Sequence, residues 1–239
     1  MDTDLIYDGI CLFMRENSDP FIAEKYRKYF VEGYDPYGVD PALLKGKVLE
    51  TKSAGISFDE ALQLARKLVS SGKYEEGHFA ISLIRLFERQ YTAEVFAEIG
   101  GWFELGIGNW AHDDSLCLEV LSAFVIRRIV PLKDIAAWRC SELKYKRRAL
   151  PVSLIKSLDK TYSAEEIIGA VSPLMIDPEK VVQQGTGWLL REIWKKHPEP
   201  VEGLLLEFRQ TGARIIYQYA TEKMTPGQKE RFRREKRAR

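Results

Sequence analysis

A chain of 239 residues, 45% hydrophobic and 30% charged, with a formal net charge of +1, can bury a full core and is neither disordered nor strongly polyionic. No apolar run approaches the ~18 residues of a membrane span, the opening MDTDLIYDG lacks the basic stretch of a secretory signal, and Cys11, Cys117 and Cys140 have no CxxC spacing. These features predict a reduced, cytoplasmic protein with neither a disulfide framework nor a zinc site.

Helical periodicity recurs along the chain. Ser57 and Glu60 have the spacing of a capping box, and Phe58–Val69 repeats apolar residues every three or four positions. His78–Phe87 and Leu118–Ile129 show the same pattern. Ser163 with Glu166 is a second capping box, Asp177-Pro178 and Thr225-Pro226 place a capping side chain before a proline at a helix start, and Gly187–Trp194 is again amphipathic. Short breakers such as Ser71-Gly72, Gly100-Gly101, Val130-Pro131 and His197–Pro200 separate these segments, and alternating strand patterns with hairpin turns are missing. The expected fold is all-α: helices joined by short linkers pack antiparallel, and stacked pairs form a HEAT-like helical-repeat superhelix, an α-α solenoid with a concave face. One domain over residues 1–239 is expected, ending in a basic segment, 225–239.

Charge is unevenly spread. From Thr225 to Arg239 there are seven basic and two acidic residues, a local charge of +5 that leaves the rest of the chain at −4. A second basic island is Lys144, Lys146, Arg147 and Arg148, preceded by Arg139. Such islands can grip phosphates even on a near-neutral chain. P-loop, GxGxxG, HExxH and GxSxG motifs are missing and only three histidines occur, which disfavours phosphate-cradling or metal-dependent chemistry.

Three segments could carry chemistry. In Gly106–Leu118, Asp114 follows Trp110 by four residues, so indole and carboxylate share one face if the segment is helical. That pair would suit a positively charged, sugar-like transition state, whereas Asp113 or Ser115 near the helix start would act as a cap. His112 reads as a polar residue of the helix start. In Trp138–Ala149, Trp138 and Tyr145 lie near one face if the helix is continuous, and Arg147 and Arg148 diverge by ~100°, one free for a phosphate while the other braces a carboxylate. In Val181–Lys196, Trp188 and Trp194 cannot share a narrow stripe, Gly185 and Gly187 allow close approach, and Arg191 and Glu192 suggest structural ion pairs.

Taken together and in order, these residues resemble the DNA alkylation repair enzymes with HEAT-like repeats. The matching positions are Trp110 with Asp114, Trp138-x-x-Ser141 followed by Arg147-Arg148-Ala149, Gly187-Trp188-x-Leu190-Arg191-Glu192 and Tyr217–Met224, with Tyr37-Gly38-Val39, Pro41 and Leu43 upstream. The resemblance implies a DNA glycosylase that removes cationic N3- and N7-alkylated purines from duplex DNA. Asp114 would stabilise the oxocarbenium ion and position water, and Trp110 and Trp188 would lie against the deoxyribose and backbone. Arg148, or Arg147 if the register shifts by one, would hold a phosphate, and Tyr26 would be an N-terminal DNA contact. No metal or organic cofactor is implied, the partner is double-stranded DNA with alkylated bases, and the protein would be a monomer away from membranes. The net acidity of the chain before residue 225 runs against a duplex-binding groove. Two other readings stay open on the same scaffold: a non-catalytic binder of damaged or branched DNA, and a helical-repeat scaffold for a protein partner.

Overall fold

Capping chemistry sets where many of the helices begin. The computed structural model describes residues 2–234, so Lys236, Arg237 and Arg239 of the basic segment lie outside the described residues. The chain divides into two compact units, the first ending at Ala123 and the second beginning at Phe124. Among the described residues the secondary structure is helical, and an isolated bridge between Leu158 and Tyr162 is the single β element. None of these helices is long and apolar enough to cross a membrane.

The first unit carries α1 (Thr3–Glu16), α2 (Pro20–Arg27), α3 (Pro41–Ser53), α4 (Phe58–Ser70), α5 (Tyr74–Arg85), α6 (Ala93–Gly100), α7 (Trp102–Leu105) and α8 (Trp110–Leu116). Asp2, Asp19 and Asp40 cap α1, α2 and α3, the last two with proline following at the first helical position. Ser57 and Glu60 form the reciprocal capping box of α4. That helix buries Ala61, Leu64, Ala65, Leu68 and Val69, the stripe its sequence spacing predicts, and packs against α5. The third apolar stretch of the chain behaves differently. Leu118–Ile129 is no single α-helix: a π turn, Cys117–Leu121, follows α8 and leads into α9 (Ser122–Ile126). The wider turn lets Cys117, Val120 and Leu121 all face inward.

The second unit contains α10 (Leu132–Ala136), α11 (Lys144–Leu154), α12 (Ala164–Val171), α13 (Lys180–Trp194), α14 (Pro198–Glu207), α15 (Arg214–Ala220) and α16 (Pro226–Glu230). Ser163 with Glu166 caps α12, and Thr225 with Gln228 caps α16, so Thr225-Pro226 starts a helix as expected. Asp177-Pro178 does not: α13 begins at Lys180, and the Asp177 carboxylate is drawn instead to Arg147, with Oδ1 also accepting from the Glu179 amide at 2.9 Å. Pro198 and Pro200 lie in the opening turn of α14, where a missing N–H costs no helical bond. In the described part of the basic segment, Phe232 is buried, Arg231 pairs with Glu202 at 2.6 Å and Arg234 donates to the Gly212 carbonyl at 3.0 Å, so residues through Arg234 are docked on this unit.

The centre of the second unit is the packing of α13 between α11 and α15. Gly187 makes the close crossing possible, because a Cβ there would sit 2.6 Å from Tyr219 Cβ and 2.9 Å from the Ile216 carbonyl. The obstacle is partly backbone and cannot swing aside. Gly187→Val is therefore expected to cost about 2 kcal/mol through overpacking, measured as a lower urea midpoint at unchanged m-value. A midpoint equal to that of the unsubstituted chain would show that α15 slides freely.

Candidate active site

In the first unit the segment Gly106–Leu118 is organised by Asn109. Its Oδ1 accepts from the His112 amide at 2.9 Å and so caps α8; its Nδ2 donates to the Gly33 carbonyl at 2.8 Å and to His112 Nδ1 at 3.0 Å. The cap is this asparagine rather than Asp113 or Ser115. His112 Nε2 in turn donates to the Tyr74 carbonyl at 2.8 Å. An amide donor on one ring nitrogen and a carbonyl on the other assign the neutral Nε2–H tautomer. Burial lowers the His112 pKa to about 4, although the bond to the Tyr74 carbonyl works in the opposite direction. Burial, with His112 close by, lowers His78 to about 3. His112 thus lies in the first turn of α8, as its sequence position suggests, and is buried there as an internal strut. Gly77 leaves room for it, since a Cβ there would lie 2.5 Å from the imidazole ring.

Trp110 opens α8 on the solvent side, with 40% of its surface exposed. Its Nε1 donates to the Tyr29 carbonyl at 3.1 Å, and its ring stacks on Phe30, centroids 5.3 Å apart and planes 16° apart. Phe30 stacks in turn on Tyr34 at 4.3 Å, and Tyr74 stands edge-on to both. A column of rings therefore underlies the exposed indole. One turn along α8, Asp114 is half-buried, whereas Asp113 has no exposed surface. The two adjacent carboxylates point in different directions, and it is Asp114 that shares the partly open face with Trp110. Tyr26, on α2, is 37% exposed, with Lys25 Nζ 5.3 Å over its ring.

The second unit holds the remaining sequence-predicted residues. Arg147 is the brace: Nε and Nη2 donate to the two Asp177 oxygens at 2.7 and 3.3 Å, and Nη1 to the Ser141 and Glu142 carbonyls. Its pKa rises above the usual arginine value, chiefly through the hydrogen bond to Asp177. Arg148 is 5% exposed and donates from Nη1 to the Val181 carbonyl at 2.6 Å; Gly185 faces its side chain. Trp188 is half-buried on α13, and Trp194 donates to Glu202 at 3.2 Å. Arg191 pairs with Glu192 and with Glu222, the structural ion pairs its neighbourhood suggests. Trp138 and Tyr145 are both buried, yet they do not share one helix: a 3₁₀ turn ends at Cys140, and α11 starts at Lys144.

Sequence reasoning missed the ring column and Asn109. The asparagine carried a usable signal, since Asn immediately before a helical run is among the best capping residues. It also missed two buried carboxylates opening α5. Glu75 accepts from the amides of Tyr37, Gly38 and Val39, and Glu76 accepts from the Tyr37 and Tyr7 hydroxyls at 2.7 and 3.2 Å.

The family model described as "DNA alkylation repair enzyme" matches residues 12–224 of the chain. None of the curated protein sequences matches significantly. Among solved structures, a chain described as a predicted DNA alkylation repair enzyme from Enterococcus faecalis superposes with a TM-score of 0.75 at 16% identity. The match covers 88% of this chain and 98% of that one. At that identity the likeness is one of fold.

Proposed function

The chain belongs to the DNA alkylation repair enzyme family, and from that premise we propose that it excises cationic N3- or N7-alkylated purines from duplex DNA by hydrolysing the N-glycosidic bond. The observation that carries this reading is the face of α8, where a partly open carboxylate, Asp114, stands one turn from an exposed, immobilised indole, Trp110. An alkylated purine already bears positive charge. When the C1′–N bond breaks, the bonding pair leaves with the base and neutralises it, and the deficit passes to the sugar as an oxocarbenium ion. Asp114 supplies the countercharge and orients a water whose oxygen then bonds to C1′, its proton passing to solvent. The Trp110 indole gives the sugar an apolar wall. Because the leaving group is preactivated, one carboxylate suffices, without a general acid, a metal or an organic cofactor. Trp188 and Tyr26 are read as contacts to the sugar-phosphate backbone, each on its own unit, while Arg148, 5% exposed and donating to the Val181 carbonyl, would hold a phosphate only after giving up that bond, and Arg147 is kept as the brace.

The test is incubation of the protein with N-methylated duplex DNA and measurement of free 3-methyladenine and 7-methylguanine. Release above the spontaneous rate is expected. Release at the spontaneous rate, with tight and salt-sensitive duplex binding, would support a non-catalytic DNA binder instead.

A further inference from the structure

After α2 the chain runs through residues 28–36, a loop whose apolar tip faces solvent although its backbone is fixed along its length. The Tyr29 and Phe30 amides donate back to the Tyr26 and Arg27 carbonyls, both at 3.0 Å. The Tyr29 carbonyl accepts from the Trp110 indole and the Gly33 carbonyl from Asn109, so the start of α8 grips the loop twice. Gly33 adopts φ +64°, and a Cβ there would lie 2.4 Å from the Gly108 carbonyl oxygen, a crossing that only glycine allows. Beyond it, the Asp35 carbonyl accepts from the Tyr74 amide at 3.0 Å and its carboxylate pairs with Lys73 at 2.8 Å. In the chain between the two α8 anchors stands Val31, fully exposed, and Tyr29 is 58% exposed with Lys28 Nζ 5.1 Å over its ring. Arg27 and Glu24 neutralise each other, so the exposed Lys25 and Lys28 against Glu32 leave the surroundings of the tip positive.

We propose that Val31 is a wedge that enters the base stack beside the damaged nucleotide and opens the neighbouring step. A fixed apolar side chain with nothing to pack against in the free protein gains burial only from a partner. Stacked bases offer that burial, and apolar side chains held in this way partly unstack the step they enter. A loop anchored beforehand gives up little entropy on insertion, and the lysines on its α2 side attract phosphates. A step next to a damaged nucleotide is already weakened and opens most readily. Because the anchors are Trp110 and Asn109, the tip is tied to the proposed sugar-facing wall. The inference rests on the proposed duplex partner, and it adds to that reading a means of telling damaged sites from intact ones.

The test is titration of the full chain into a duplex carrying a tetrahydrofuran abasic analogue with 2-aminopurine as the adjacent base, whose emission rises when it unstacks. A rise of about threefold at saturating protein is expected, with no change when the 2-aminopurine lies far from the analogue. Val31 buries nothing in the fold, so Val31→Ala and Val31→Leu should both fold and bind. The alanine variant should lose most of the rise at saturation and the leucine variant should keep it. Lys28→Ala should weaken duplex affinity about threefold and leave the plateau unchanged. An undiminished plateau in Val31→Ala, or saturable binding with flat emission, would overturn the wedge, while base release from methylated duplex reports the excision reading separately. A chain that binds no duplex sinks both and gives the apolar tip to a protein partner.

Discussion

Asp114→Asn is expected to reduce base release about a thousandfold while leaving duplex affinity within a fewfold of the unsubstituted protein. The substitution keeps the size of the side chain and removes its charge. A carboxylate ~4 Å from an oxocarbenium ion contributes about 4 kcal/mol at an effective dielectric of 20, and nearly all of that is felt once charge has developed on the sugar. Stabilisation confined to the transition state appears in the rate of the chemical step and not in binding, and about 4 kcal/mol corresponds to roughly a thousandfold. Single-turnover release from methylated duplex, with affinity measured in parallel, gives both numbers. Asp113→Asn serves as the contrast, because that side chain has no exposed surface and its loss should register as reduced stability. If Asp114→Asn released purines at the original rate, the α8 carboxylate would have no part in the reaction.

Acid should unfold the first unit well before carboxylate titration would. His78 and His112 have folded-state pKa values of about 3 and about 4, against 6.5 when unfolded. Between those limits the unfolded chain binds protons that the folded chain refuses, so stability is complete above pH ~6.5 and falls as the pH drops toward ~4. Two such groups give a slope approaching about 3 kcal/mol per pH unit in that window. Thermal melts at pH 7 and pH 5 should therefore differ by many degrees. His78→Phe keeps a ring against Tyr74 and His112 and deletes one proton, and the His78 Nε2 has no hydrogen-bond partner among the described residues, so little else is lost. That variant should halve the slope. An identical pH dependence in the variant and the unsubstituted chain would show that another group titrates.

The parts of the fold legible in sequence are those where local chemistry and tertiary packing agree. Helix α4 is one: Ser57 and Glu60 mark its start and its apolar spacing is regular. Leu118–Ile129 misleads because a π turn changes the residues per turn, and apolar spacing alone does not reveal it. Asp177-Pro178 misleads because the carboxylate that could cap α13 has a stronger partner in Arg147, 30 residues away. At the candidate site, the four-residue spacing of Trp110 and Asp114 was enough to put them on one face. It could not show that Asp113 turns inward, which depends on what packs behind the helix. The ring column was invisible for the same reason: the Tyr29 carbonyl and the Trp110 indole it receives are 81 residues apart, and no local pattern records such a meeting.

An indole held at its edge by a carbonyl and across its face by Phe30 has already surrendered its rotamers before any duplex arrives. Immobilising a side chain at an interface normally costs about 0.5–1.5 kcal/mol of conformational entropy. For Trp110 that loss was settled during folding, so the contact proposed for it with DNA would be returned almost undiminished as affinity. The acid-sensitive struts beneath it are in this sense the other half of the same arrangement: folding stability is spent to keep the proposed sugar-facing wall rigid.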